Sequence, residues 1–230
     1  MVLLSFAIYW YSVHAKKLVS EPPFNPETMA LSELFPANEE YQFTTPVVGT
    51  YALPPIKSSP DGAILNHEDQ KKSLANILKG KISLVSFVYL LCSDVNGCPL
   101  AMATLFDIYD ATKKVPNLKD KVQLITLSFD PTRDTTEAIA SFAYPMLTDK
   151  DADKKINWHV LTTDGQKSLK PILDGFGQVV NRSGDSDTIR HLLRLFLVDE
   201  TGQIRNIYGL GMIDPRLIMA DIETLIKETK

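Results

Sequence analysis

Residues 81–91 constrain the fold of this chain more than any other stretch, because Ile82, Leu84, Val85, Phe87, Val88, Tyr89 and Leu90 make it apolar almost without a break. A strand with one wet face alternates apolar and polar residues, whereas a run apolar at both parities belongs to a strand covered on both sides. The following sequence fits such a setting. Residues 100–109 read as a helix, 122–129 as a second doubly buried strand and 135–142 as another helix, an alternation that implies parallel strands joined by helical crossovers.

The rest of the chain completes the pattern. A short strand at 158–161 and a helix near 166–173 precede two strands, 192–198 and 203–208, which Asp199-Glu200-Thr201-Gly202 joins as an antiparallel hairpin. Residues 215–227 form an amphipathic helix with Leu217, Ile218, Ile222, Leu225 and Ile226 as its apolar set. Upstream, 49–53 and 63–66 flank Ser58-Ser59-Pro60-Asp61-Gly62, a turn sequence that predicts an N-terminal hairpin. Leu74, Ile77 and Leu78 then fall at helical spacing, with Gly80 as a stop. Hairpin, βαβ unit, hairpin and closing helix is the order of an α/β, thioredoxin-like three-layer fold with an N-terminal hairpin extension.

At 230 residues the chain has room for one well-cored domain and an extension. Residues 1–15 are apolar and end in Val13-His14-Ala15, which resembles a small-residue cleavage site and reads as a truncated export signal or membrane anchor. Lys16-Lys17 follow it directly. Residues 16–46, with Pro22-Pro23, Pro26 and Pro36, read as a linker, which leaves 47–230 as the folded domain. A net charge of -4 and the lack of any dense Lys/Arg block argue against nucleic-acid binding.

The chain has two cysteines, Cys92 and Cys98, and both stand where the first buried strand gives way to a helix. A disulfide kept only for stability is expected to close a long loop, since the entropy it removes from the unfolded chain grows with loop length. This pair closes a very short one. A redox couple or two ligands of a soft metal suits the placement better. Pro99 favours the first turn of a helix and puts Cys98 near the helix N-cap, where the positive end of the helix is expected to lower the thiol pKa. Asn96-Gly97 supplies a turn that brings the two thiols together.

Of the four histidines, His14 lies in the apolar leader, His67 before a helix, and His159 in a short strand where a satisfied imidazole is the plain reading. His191 is different. It begins the 192–198 strand after Gly184-Asp185-Ser186-Asp187, and in the expected topology the loop before that strand faces the cysteines. Two thiolates and one imidazole make a three-coordinate soft site that suits Cu(I), and Zn(II) less well without a fourth ligand. Asp130, Arg133 and Asp134 read as strand-end and helix-cap residues, Asp94 as an exposed turn aspartate, and Met102, Met146 and Met212 as core fillers rather than soft ligands.

Ser86-Phe87-Val88-Tyr89 leading into Cys92-Ser93-Asp94 and Gly97-Cys98-Pro99-Leu100-Ala101, then Ser128-Phe129-Asp130-Pro131-Thr132-Arg133-Asp134-Thr135, resembles the Sco/SenC family of thioredoxin-like copper proteins, over roughly residues 47 to 228. His191 before an apolar strand and Asp199-Glu200-Thr201-Gly202 continue the likeness. The resemblance implies that Cys92, Cys98 and His191 bind a copper ion. It further implies delivery of copper to, or maturation of, the CuA site of cytochrome c oxidase, with the copper-bearing subunit as partner. The setting would be periplasmic or another extracytoplasmic membrane face, with N-terminal anchoring. The commonest family pattern has three residues between the cysteines, whereas five intervene here.

The alternative is an enzyme-like thiol-disulfide oxidoreductase, in which Cys92 and Cys98 would be redox-active and keep partner cysteines reduced. Reductases of this fold carry a proline facing the cysteines at the start of the strand where His191 stands, and no proline occurs between Pro171 and Pro215. A peroxidase finds no support beyond the thiols.

Overall fold

A computed structural model describes residues 24–36, 44–92, 97–182 and 189–228. In chain order the elements are β1 (Lys57–Ser58), β2 (Ala63–Leu65), β3 (Lys71–Ser73), α1 (Leu74–Leu78), β4 (Ile82–Val88), α2 (Cys98–Ala111), β5 (Val122–Ser128), α3 (Thr136–Leu147), β6 (Asn157–Leu161), α4 (Gln166–Phe176), β7 (Val180–Arg182), β8 (Ile189–His191), β9 (Arg194–Val198), β10 (Gln203–Gly209) and α5 (Pro215–Glu228). Short 3₁₀ turns, among them Leu31–Leu34, join or precede them.

The main sheet has the order β1-β10-β9-β4-β5-β6. β4 pairs in parallel with β5 and antiparallel with β9, and β5 pairs in parallel with β6. Every residue of β4 and β5 is buried, as their unbroken apolar runs require. Leu84, Leu124, Leu195 and Leu197 face α2, α3 and α5, joined by Leu105, Ile108, Ile139 and Ile218. Val85, Phe87, Ile125, Leu127 and Phe196 face α1 and α4 on the other side, joined by Leu74, Leu78, Leu169 and Phe176. These are the three layers expected. Polar side chains of the central strands pair with one another or with backbone: Ser86 Oγ lies 2.9 Å from Thr126 Oγ1, and Gln123 Nε2 donates to Ser83 Oγ at 2.9 Å and to the Ile77 carbonyl at 2.7 Å.

Four expectations need correction. The N-terminal hairpin exists, but its strands are β2 and β3, with Ala63 opposite Ser73, and residues 49–53 are not a strand. The Pro-Asp-Gly sequence is not its turn: Asp61 Oδ1 accepts from the Ala75 amide (3.0 Å) and the Ser73 hydroxyl (2.9 Å), tying the chain to the start of α1. Tyr51 instead donates to Asp221 Oδ1 on α5 at 2.6 Å.

Secondly, part of the stretch read as a linker packs on the domain. Leu31 and Leu34 are buried in the core cluster, and the Leu31 amide donates to Glu223 Oε2 at 2.7 Å. Thirdly, α3 continues past residue 142 to Leu147 with Pro145 inside it, because a proline near a helix end forfeits only one amide bond while Ala143 and Met146 remain in the core. The last correction concerns His191. It does not open the 192–198 strand but closes β8, half of a separate antiparallel ribbon with β7 in which Val180 faces His191. Residues 1–23, including the apolar leader and His14, lie outside the described residues.

Candidate metal centre

The site forms at the carboxyl end of β4, the position where open α/β sheets bind ligands. After Val88 the chain makes a tight turn, in which the Cys92 amide donates to the Tyr89 carbonyl at 3.2 Å. Gly97 is the N-cap of α2, and Cys98 is the first residue of that helix, just before Pro99. Ser93, Asp94, Val95 and Asn96 lie outside the described residues, so the aspartate and most of the expected turn carry no structural account.

His191 reaches the same point from the ribbon. Its Nε2 atom is 3.5 Å from Cys98 Sγ and 4.0 Å from Cys92 Sγ, and the three ligand atoms lie within 4.8 Å of one another. The cysteines are free thiols, Cys98 buried and Cys92 half-buried. Donor atoms held about 2.0–2.3 Å from one ion are at most about 4.6 Å apart, so the group closes on a single ion with little adjustment. Among the described residues it is the one His/Cys/Asp/Glu group arranged in this way. Met146 is buried in the core and Met102 is packed at the cluster margins, whereas Met212 is exposed rather than the core filler expected.

Burial sets the state of the Cys98 thiol in the metal-free protein. It pushes the Cys98 thiol well above the ordinary thiol range, and the neighbouring Cys92 pushes it further, against a hydrogen bond from the Tyr89 backbone. The lowering expected from the helix N-terminus is therefore outweighed. A cation seated between the sulfurs acts in the opposite sense, because its charge favours the thiolate.

Two aromatic residues frame the imidazole, a role that the strand-end motifs containing them do not reveal. Phe129 lies 4.9 Å from the His191 ring centre, and Tyr89 lies 6.1 Å away, edge to face. Both belong to apolar runs at strand ends, where nothing but the topology distinguishes them from ordinary core residues. The aspartates act as supports. Asp134 Oδ2 accepts from the Leu90 amide (3.1 Å) and Ser128 Oγ (2.5 Å), joining the ends of β4 and β5, while Thr135 caps α3 through the Ala138 amide (3.3 Å). Asp130, 1% exposed, accepts from Arg133 and from Arg182 of β7. The Arg133 guanidinium also lies over the Tyr89 ring, 5.8 Å from its centre.

The fold and this cluster define a thioredoxin-like domain with a thiol–imidazole group suited to a soft metal ion. Residues 63–227 match the SCO1/SenC family, and the chain belongs to that family. Among solved structures it is similar to a SCO1/SenC family lipoprotein from Bacillus anthracis, with 21% identity, 76% of this chain and 99% of that chain covered and a TM-score of 0.62. It is also similar to yeast Sco1 with copper bound, at 16% identity, 74% and 89% coverage and a TM-score of 0.59. A third is BsSco, a member of the Sco family of cytochrome c oxidase assembly proteins described with a disulfide switch, at 22% identity, 76% and 98% coverage and a TM-score of 0.58. At these identities the likeness is one of fold. No curated protein matches the chain by sequence.

Proposed function

We propose that this protein is a copper chaperone that holds one Cu(I) between Cys92, Cys98 and His191 and passes it to a copper protein, the copper-bearing subunit of cytochrome c oxidase being the acceptor. The observation that carries the reading is the meeting of Cys92 Sγ, Cys98 Sγ and His191 Nε2 within 4.8 Å at the end of β4. Two thiolates and an imidazole offer a soft, three-coordinate environment, matched to Cu(I) and short of the four ligands that Zn(II) takes in structural sites. Copper in yeast Sco1 and the oxidase-assembly role of BsSco support this choice of cargo and client.

An extracytoplasmic, membrane-associated setting belongs to the same reading, supported by the apolar 1–15 segment and by the lipoprotein relative. No helix among the described residues is long and apolar enough to cross a membrane. Anaerobic titration of the reduced protein with Cu(I) against a chromogenic chelator tests the function. One equivalent retained by the wild type and lost in Cys92→Ser and Cys98→Ser is the expected result; equal retention by the serine variants would refute it.

A further inference from the structure

The β7–β8 ribbon has three residues in each strand and, among the described residues, no third strand beside it. A lone two-stranded hairpin is marginal in water, so the placement of His191 depends on side chains that fasten the ribbon to the domain. At the His191 end, Gln178 Nε2 donates to the carbonyl of Leu192 at 2.7 Å, and Arg194 Nη1 donates to the carbonyl of Gly177 at 2.9 Å. Gln178 is 5% exposed, so water does not compete for its bond. Gly177 makes the approach possible by ending α4 in the left-handed region (φ 71°), which turns the chain directly into Gln178.

The other end of β7 is held by Arg182, which faces Ile189 across the ribbon. Its guanidinium forks onto the end of β5: Nη1 donates to Asp130 Oδ1 at 3.0 Å and Nη2 to the Phe129 carbonyl at 2.5 Å. Phe129 is also the residue against the imidazole. One residue thus links the carboxyl end of a core strand, the aromatic wall of the site and the ribbon that carries the histidine.

We infer that Gln178 and Arg182 are positioning residues for the metal centre: by fastening the two ends of the ribbon they hold His191 Nε2 toward both thiols and so set the affinity for Cu(I). The inference rests on the copper reading given above. Groups that orient metal ligands from behind typically govern affinity by about 10–100-fold, and a ribbon released at either end leaves copper to the thiolates alone.

The test is a double-mutant cycle on the reduced full chain, with Cu(I) affinity measured against bicinchoninate and the copper shell read by X-ray absorption. Gln178→Met and Arg182→Met are each made alone and together with His191→Ala. In the wild-type background each is expected to weaken binding by about tenfold or more and to reduce the nitrogen contribution to the copper shell. In the His191→Ala background neither is expected to change affinity more than about twofold, because the group they position is gone. Arg182→Lys is expected to recover little, since one ammonium cannot match the fork that spans a carboxylate and a carbonyl.

Full affinity in both methionine variants would overturn the inference, and so would losses as large without His191 as with it. Circular dichroism checks the fold. The two variants release opposite ends of the ribbon, so either can carry the test if the other fails to fold. A wild-type chain that binds no Cu(I) would instead overturn the copper reading itself.

Discussion

His191 Nε2 stands 3.5 Å from Cys98 Sγ, although 93 positions of chain separate the two residues. Two independent pieces of structure create that contact. The buried strand β4 and the first turn of α2 present the cysteines, and a ribbon outside the main sheet brings the imidazole over them. Affinity for metal and integrity of the core are therefore separable, which the following predictions use.

The two thiols should form an intramolecular disulfide on mild oxidation. Both are free, and their sulfurs lie within the 4.8 Å span of the cluster, a separation that a small adjustment of the two cysteines closes. Mass analysis under non-reducing conditions should find a cross-linked peptide from within one chain, and the oxidised protein should no longer bind Cu(I). Disulfide-linked dimers as the main product would contradict the arrangement.

His191→Ala should separate copper handling from thiol exchange. The imidazole completes the coordination shell, so its loss should weaken Cu(I) binding by at least tenfold. Exchange of the reduced pair with a small disulfide depends chiefly on the thiols and should change far less. A collapse of exchange with copper affinity intact would favour the oxidoreductase reading.

The alternation of doubly buried strands with helices was enough to specify the layers, because β4 and β5 declare their burial through residues such as Leu84, Val85, Leu124 and Ile125. Cys92 and Cys98 stand out because they flank the junction of β4 and α2, whereas the nearness of His191 was expected from the 192–198 strand, which it does not open. The ribbon was not legible. Val180-Asn181-Arg182 and Ile189-Arg190-His191 are too short for a period-two pattern, and their pairing depends on Arg182 and Gln178 reaching groups remote in sequence. The strand partner of Ala63–Leu65 was misjudged because Asp61 is used as a side-chain acceptor rather than in a turn.

Outside the site, stability should depend strongly on Asp221. This carboxylate, 2% exposed, accepts from Tyr208 Oη (2.7 Å), Asn206 Nδ2 (2.8 Å) and Tyr51 Oη (2.6 Å), joining β10, α5 and the segment before β1. Hydrogen bonds to a charged group contribute more than neutral ones, so Tyr208→Phe should cost about 1.5–3 kcal/mol. Urea unfolding should show a lower midpoint with an unchanged slope. Copper affinity of the folded variant should be unaltered.

His159 should make stability fall with acid. Burial, followed by the nearby Lys72 and Lys81 charges, lowers its pKa in the folded state. The unfolded chain therefore binds the proton more readily, and stability rises with pH across this interval. The contribution is complete above about pH 6.5, the unfolded value, and is lost as the pH falls toward the folded one. Denaturant midpoints measured from pH 7 to 5 should drop less steeply in His159→Gln than in the wild type; parallel curves would exclude the effect.

The most direct measurement of the central claim is X-ray absorption at the copper edge of the reduced protein loaded anaerobically with one equivalent of Cu(I). The arrangement of Cys92, Cys98 and His191 predicts a shell of two sulfurs and one nitrogen. The nitrogen should disappear in His191→Ala while the sulfurs remain. A shell without sulfur, or one unchanged by removal of His191, would contradict the account.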